Sequence, residues 1–222
     1  MALYRYPGTT AVNRQIPKNK FYQMGNATHK LEQLFVNQIE RIHWANKLAE
    51  NTLRIPPTDE VKEIQIFHLH TRVEHLDKRI LNYIDNQILS PIIFEIHYQN
   101  KIKVIATYKR LSHTDKTKVV LDHYYESAWL TENSRQDLPI VLNLADLYAH
   151  LIHALLPFTV QDEINTAQNI EQILQKQREI SLLQKALANL TTKLKNEKQF
   201  NRKVEINQKI QQLLLRTTRI KK

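Results

Sequence analysis

Three groups of residues in this 222-residue chain are of types that could do chemistry. His68 and His70 stand two apart on a predicted strand and share one of its faces, while Asp146, His150 and His153 recur at helical spacing on one face of a predicted helix. Imidazole and carboxylate suit zinc or iron, and a strand pair facing a helix pair could close on an ion. The competing expectation is a set of histidines flanking a core stripe, since Tyr148, Leu151 and Leu155 interleave with the helical set.

The second group lies on a predicted hairpin, whose polar positions are Glu95, His97, Lys103, Thr107 and Lys109, with Asp122 and Glu126 on the strand that follows. Glu95, Asp122 and Glu126 with Lys109 have the composition of a nuclease site: carboxylates hold a divalent ion such as Mg2+, and the lysine steadies the charge that develops on phosphorus. The pattern departs from the usual one, because the position two after Glu95 holds His97 instead of a lysine. A solvated sheet face accounts for the same residues.

The third group is electrostatic. The chain carries a formal charge of +10, and residues 185–222 hold eleven Lys and Arg against Glu197 and Glu205. That is a net +9, which leaves residues 1–184 nearly neutral. Lys193, Lys195, Lys198, Arg202 and Lys203 crowd into one stretch and are the candidates for phosphate contact with DNA or RNA. A helix that is merely solvated mixes its signs, as in Glu–Lys pairs at i, i+4.

Other chemistries lack their parts. No cysteine is present, which removes thiolate nucleophiles, disulfides and cysteine-ligated metals. Only two glycines occur, Gly8 and Gly25, and neither sits in a phosphate-cradling loop pattern. Serines are few and none stands in a nucleophile elbow. The first residues have no signal-peptide core and no apolar run is long enough to span a membrane, so a cytoplasmic, membrane-free protein is expected.

The elements that must position these residues follow from periodicity. Residues 1–25 read as an arm in which Tyr4, Tyr6, Phe21 and Tyr22 alternate with Arg5, Arg14, Lys18 and Lys20; the arm either grips nucleic acid or packs onto the domain. Leu31, Leu34, Phe35, Ile39, Ile42, Ala45 and Leu48 recur at three- and four-residue steps, predicting one helix over 28–51. A strand is expected over 61–70, then a helix capped at Thr71 with Val73, Leu76, Ile80 and Ile84 inward. Residues 92–98 and 102–108 alternate as strands. A three-residue loop, 99–101, would put their apolar positions on one face. A strand over 118–126, a polar linker over 131–139 and a helix capped by Asn143 complete an α+β domain with a mostly antiparallel sheet over residues 26–157.

Residues 158–222 form the basic tail. Ile173, Ile180, Leu183, Leu187, Leu190 and Leu194 follow a heptad seam, which then fails. A second stripe of Phe200, Ile206, Ile210, Leu213 and Leu214 starts out of phase, so the tail is a coiled-coil helix or, preferably, a helical hairpin reversing near 195–201.

Three stretches together carry a family resemblance. They are IPKNKFY at 16–22 leading into FVNQIERIHWANK at 35–47; PIIFE at 91–95 with YK at 108–109; and EKQFNRKVEIN at 197–207. In this order the chain resembles a bacterial and archaeal family, the domain of unknown function numbered 4391. The resemblance implies company rather than chemistry: members are often encoded beside helicase-like and DNA-methyltransferase genes of restriction or phage-defence type, and no catalytic residues carry over. The expectation is therefore a non-catalytic accessory subunit of a DNA-acting complex. Its partner would be a larger helicase- or methyltransferase-type protein, its basic tail would grip that partner or nucleic acid, and it would need no cofactor. The alternatives are a Mg2+-dependent nuclease using Glu95, Lys109, Asp122 and Glu126, and a structural homo-oligomer zipped through the coiled-coil seam.

Overall fold

A computed structural model describes residues 2–24, 27–112, 114–156 and 170–220. The chain divides into two compact units, one up to Leu156 and one from Pro157. The first is α+β. Its main sheet has six strands: β2 (Ala11–Ile16), β3 (Ile39–Ala49), β4 (Glu63–Thr71), β5 (Ile92–Tyr98), β6 (Lys101–Leu111) and β7 (Val119–Glu126), neighbours in that order. All pairings are antiparallel except β4 with β5. The short helix α3 (Glu50–Leu53) follows β3. A parallel pair needs a crossover, and the helix α4 (Lys78–Gln87) supplies it.

Helices cover both faces, so the strands are apolar on both sides. On one face α1 (Lys18–Met24), α2 (His29–Gln38) and α4 bury Phe21, Phe35, Ile80, Leu81 and Ile84 against Ile42, Phe67, Leu69, Phe94, Ile96 and Ile105. On the other, α5 (Leu144–His153) lies against β4 and β6, with Leu144, Leu147, Tyr148, Leu151 and Ile152 buried. The first residues are built into the unit. Leu3 is fully buried, and β1 (Tyr4–Arg5) pairs in parallel with the short β8 (Gln136–Asp137). The stretch over 131–139 therefore carries a strand as well as polar turns.

Four local expectations are corrected. The predicted helix over 28–51 is a helix only to Gln38, capped by Thr28; from Ile39 the chain is an eleven-residue strand. Its buried residues Ile39, Ile42, Ala45 and Leu48 are three apart because the register with β4 shifts twice, between Ile39 and Arg41 and between Trp44 and Asn46. Each bulge adds a residue and flips the alternation, so a bulged strand imitates a helical period. The helix after β4 starts at Lys78, not near Thr71: Asp77 caps it by accepting from Arg79 N at 2.9 Å. Thr71 instead donates to Val73 O in the connecting turn.

The β5–β6 turn has two residues, Gln99 and Asn100, with Tyr98 paired to Lys101. Gln99 takes φ 52°, the left-handed region that the first position of such a turn favours. The register then opposes Phe94 with Ile105, Ile96 with Lys103 and Glu95 with Val104. Hence the expected polar face of the hairpin does not exist. Lys103 joins the face of Phe94, and Glu95 joins that of Val104. A turn of two residues instead of three is tolerated because both faces are covered, so no set of apolar residues is forced to one side.

The second unit is a helical hairpin of α6 (Ile170–Asn196) and α7 (Phe200–Ile220). Ile173, Gln177, Ile180 and Leu183 are buried on α6, and α7 turns Ile206, Ile210, Leu213 and Thr217 inward. Phe200 and Leu214, members of the predicted stripe, are largely exposed. Arg216 reaches Glu179 across the hairpin at 2.5 Å. Among the described residues no helix is long and apolar enough to cross a membrane.

Candidate functional site

The most unusual chemistry of the first unit lies on its α5-covered face, at the centre of the sheet. His68 on β4 is in register with Glu95 on β5, and His70 with His97. Residues two apart on a strand share a face, so parallel pairing brings all four side chains together. His43 on β3, opposite His68, extends the row. The rings of His68 and His97 are 4.7 Å apart between centroids, and His70 stacks on His97 at 4.8 Å.

Glu95 is fully buried at the middle of this row. Such a carboxylate must be held by donors. Arg135 donates to it with both terminal nitrogens, Nη1 to Oε1 at 3.0 Å and Nη2 to Oε2 at 2.8 Å, while also bonding Tyr4 O and pairing with Glu132. The Tyr6 hydroxyl bonds Glu95 as well. His68 Nε2 lies 3.2 Å and His97 Nε2 3.7 Å from Glu95 Oε2, the oxygen that also accepts from Arg135 Nη2. Burial pushes the Glu95 carboxyl up, but the facing His68, His97 and Arg135 outweigh it and hold the group well below the usual carboxylate range. Burial, then the neighbouring His97 and Arg41, lower His70 to about 4, so it is neutral at pH 7. Tyr6 is raised well above its ordinary value by burial and by the Glu95 charge.

His68, Glu95 and His97 could hold a metal ion: their ligating atoms lie within 4.8 Å of one another. Of the residues singled out from sequence for metal, only His68 belongs to this group. His70 stands beside it as a stacking neighbour. Asp146, His150 and His153 sit on α5, where Asp146 accepts from Asn143 at the helix cap and burial lowers the His153 imidazole. Among the described residues they form no ligand group with the strand histidines.

The nuclease candidates fall in separate places. Glu95 faces Arg135. Lys109 and Glu126 belong to the opposite face, with Ile105. Lys109 is buried against Asp85 of α4, Nζ to Oδ1 at 2.6 Å, and also donates to Asp85 O and Ile88 O at the end of that helix. Glu126 pairs with Lys78 and Lys103 near the sheet's edge, and Asp122 accepts from Thr107 through its backbone carbonyl.

Sequence reasoning missed Arg135, Tyr6 and Asp85. No local signal marks Arg135, which lies in a polar stretch and is delivered by the β1–β8 pairing from the far end of the chain. Asp85 had a signal, an acid on the apolar stripe beside Ile84 of a helix.

In the second unit, the predicted cationic residues gather at the hairpin's turn. Lys193, Lys195, Lys198, Arg202 and Lys203 are all exposed, and among the described residues none makes an ion pair. Glu197 caps the turn instead, accepting from Lys198 N at 2.8 Å and Gln199 N at 2.9 Å. These backbone bonds, with Arg202 and Lys203 nearby, lower its carboxyl.

Comparison with known proteins adds one finding. The family model described as Domain of unknown function (DUF4391) matches residues 5–215, nearly the whole chain. The chain belongs to that family. No curated protein and no solved structure matches it. The three stretches of the resemblance now have places in this DUF4391 protein. The first runs from α1 through α2 into β3, the second supplies Glu95 and the buried Lys109, and the third is the hairpin turn with its cations.

Proposed function

We propose that this DUF4391 protein is a non-catalytic accessory subunit of a DNA-acting complex, and that its C-terminal hairpin binds the phosphate backbone. One observation carries the reading: five exposed cations cluster at the hairpin turn, none of them in an ion pair among the described residues and two of them near the Glu197 carboxylate, in a segment of net +9. A solvated helix face rarely leaves so many like charges unbalanced, because they repel one another over the ~8–10 Å that salt leaves unscreened. A polyanion relieves that repulsion and releases its own condensed counterions. The resemblance to a family encoded beside helicase- and methyltransferase-type genes supports a larger partner of that kind, with the α+β unit as the docking body.

The test is a titration of labelled duplex DNA with the full chain across 50–200 mM salt, buffer concentrations at which counterion release is steep. Five phosphate contacts give a slope of log K against log salt of about −4 to −5. Replacing Lys193, Lys195, Lys198, Arg202 and Lys203 by glutamine should flatten that slope almost entirely. Equal affinity and equal slope for both proteins would remove nucleic acid from the reading. Loss of an acidic protein partner from pull-downs with the same variant, without any DNA binding by either protein, would reassign the cations to that partner.

A further inference from the structure

We infer that His68, Glu95 and His97 form a binding site for one divalent transition-metal ion of the zinc class, separate from the hairpin and independent of what the hairpin binds. The Nε2 atoms of His68 and His97 are buried and both face Glu95 Oε2, at 3.2 and 3.7 Å, without the alignment of a good hydrogen bond. Buried ring nitrogens without a well-aligned partner are rare in folded proteins. Here two of them lie around a single carboxylate oxygen. Neutral imidazoles with lone pairs turned toward that oxygen would repel it, and those protonated at Nε2 would donate to it poorly, His68 out of line at 3.2 Å and His97 beyond hydrogen-bond reach at 3.7 Å. Two imidazolium ions with rings 4.7 Å apart would repel each other. A cation among the three atoms removes these conflicts, since each nitrogen then donates its lone pair to the ion.

The donor set also argues for the class of ion. Two imidazoles and one carboxylate are a zinc-type set that leaves a fourth position for water or a ligand. Imidazole does not suit magnesium, which prefers oxygen. Arg135 bonds both Glu95 oxygens, sharing Oε2 with the two histidines, and Glu132 pairs with its guanidinium. A carboxylate oxygen has two lone pairs, one for the arginine and one for the ion. Arg135 thus acts as the outer partner that orients a ligating carboxylate. The histidine side chains keep 22% and 18% exposure, so the cluster lies near solvent although its ligating Nε2 atoms are buried.

The experiment is isothermal titration of the untagged, metal-stripped full chain with Zn2+, with Co2+ as a visible-absorption probe of coordination. One equivalent of Zn2+ should bind, and Co2+ should give the intense absorption of a four- or five-coordinate nitrogen-ligated site. His68→Ala and His97→Ala should each weaken binding by roughly 100-fold or more, the upper end of what losing an outer partner alone costs. Asp146→Asn/His150→Ala/His153→Ala should bind as the parent does, and Mg2+ should not displace the ion. Glu95→Gln leaves Arg135 without its carboxylate and can fail to fold, so the two histidine variants, checked by circular dichroism, decide. No saturable Zn2+ binding by the parent chain would overturn the inference. So would unchanged affinity in both histidine variants, loss of binding in the α5 variant, or displacement by Mg2+.

Discussion

Lys109→Met should destabilise the first unit severely, and adding Asp85→Leu should restore much of the loss. Lys109 and Asp85 are 1% and 0% exposed at their side chains, with Nζ 2.6 Å from Oδ1. Burial raises the Asp85 carboxyl and lowers the Lys109 amine, each against the pull of its partner. Both shifts run toward the neutral forms, because burial disfavours each charge. Removing the lysine alone leaves a buried carboxylate whose remaining side-chain donor is the Tyr124 hydroxyl, at 2.5 Å. Breaking one side of such a pair costs about 3–5 kcal/mol, whereas replacing both sides by apolar groups is often neutral or better. In this protein the double replacement still strands the Tyr124 hydroxyl and the carbonyls of Asp85 and Ile88 that Lys109 served. Exposing or orphaning such groups costs ~1–3 kcal/mol. The double variant should therefore lose less than either single variant, with a coupling of about 3 kcal/mol. Urea unfolding followed by tryptophan fluorescence measures this for the first unit specifically, because both tryptophans, Trp44 and Trp129, lie in it. A Lys109→Met loss below about 1 kcal/mol, or a double variant equal to the sum of the singles, would refute the reasoning.

Two further outcomes follow from the same unit. Asp77 caps α4, and its bonds to Arg79 hold its carboxyl below the ordinary value of 3.8. A group depressed in the folded state contributes stability above its unfolded pKa and loses it as pH falls through the folded one. Asp77→Ala should thus cost about 1 kcal/mol at pH 7, and the gap to the parent should close in urea titrations taken below pH 3.8; a gap constant with pH would show that the carboxylate is not the cap. Gln99 sits at φ 52° in the β5–β6 turn, where a side chain is strained. Gln99→Gly should raise the urea midpoint, by up to about 1 kcal/mol in free energy, and a fall would mean that the Gln99 side chain does something that glycine cannot.

Much of this molecule is legible along the chain because the relevant forces act over a few residues. Alternation marks β5 and β6, Asn143 announces α5, and the break in the heptad seam after Leu194 foretells the reversal into α7. The charge at the turn is a matter of composition, and its exposure follows because lysines resist burial.

What the sequence could not disclose is wherever distant segments meet or where one residue of register decides a face. The bulges of β3 turned a strand into the likeness of a helix. A two-residue turn moved Lys103, Lys109 and Glu95 onto opposite sides of the sheet, separating the imagined nuclease residues. The histidine–glutamate cluster exists because β4 and β5 run parallel in one register, a pairing that the crossover through α4 sets and no local pattern encodes. Arg135 reaches Glu95 because β8 pairs with β1 across the length of the domain. The sequence alone determines the kinds of residue, the helices' apolar stripes and where the charge lies. Tertiary structure decides which nitrogen faces which oxygen, because that depends on register and pairing between strands far apart in the chain.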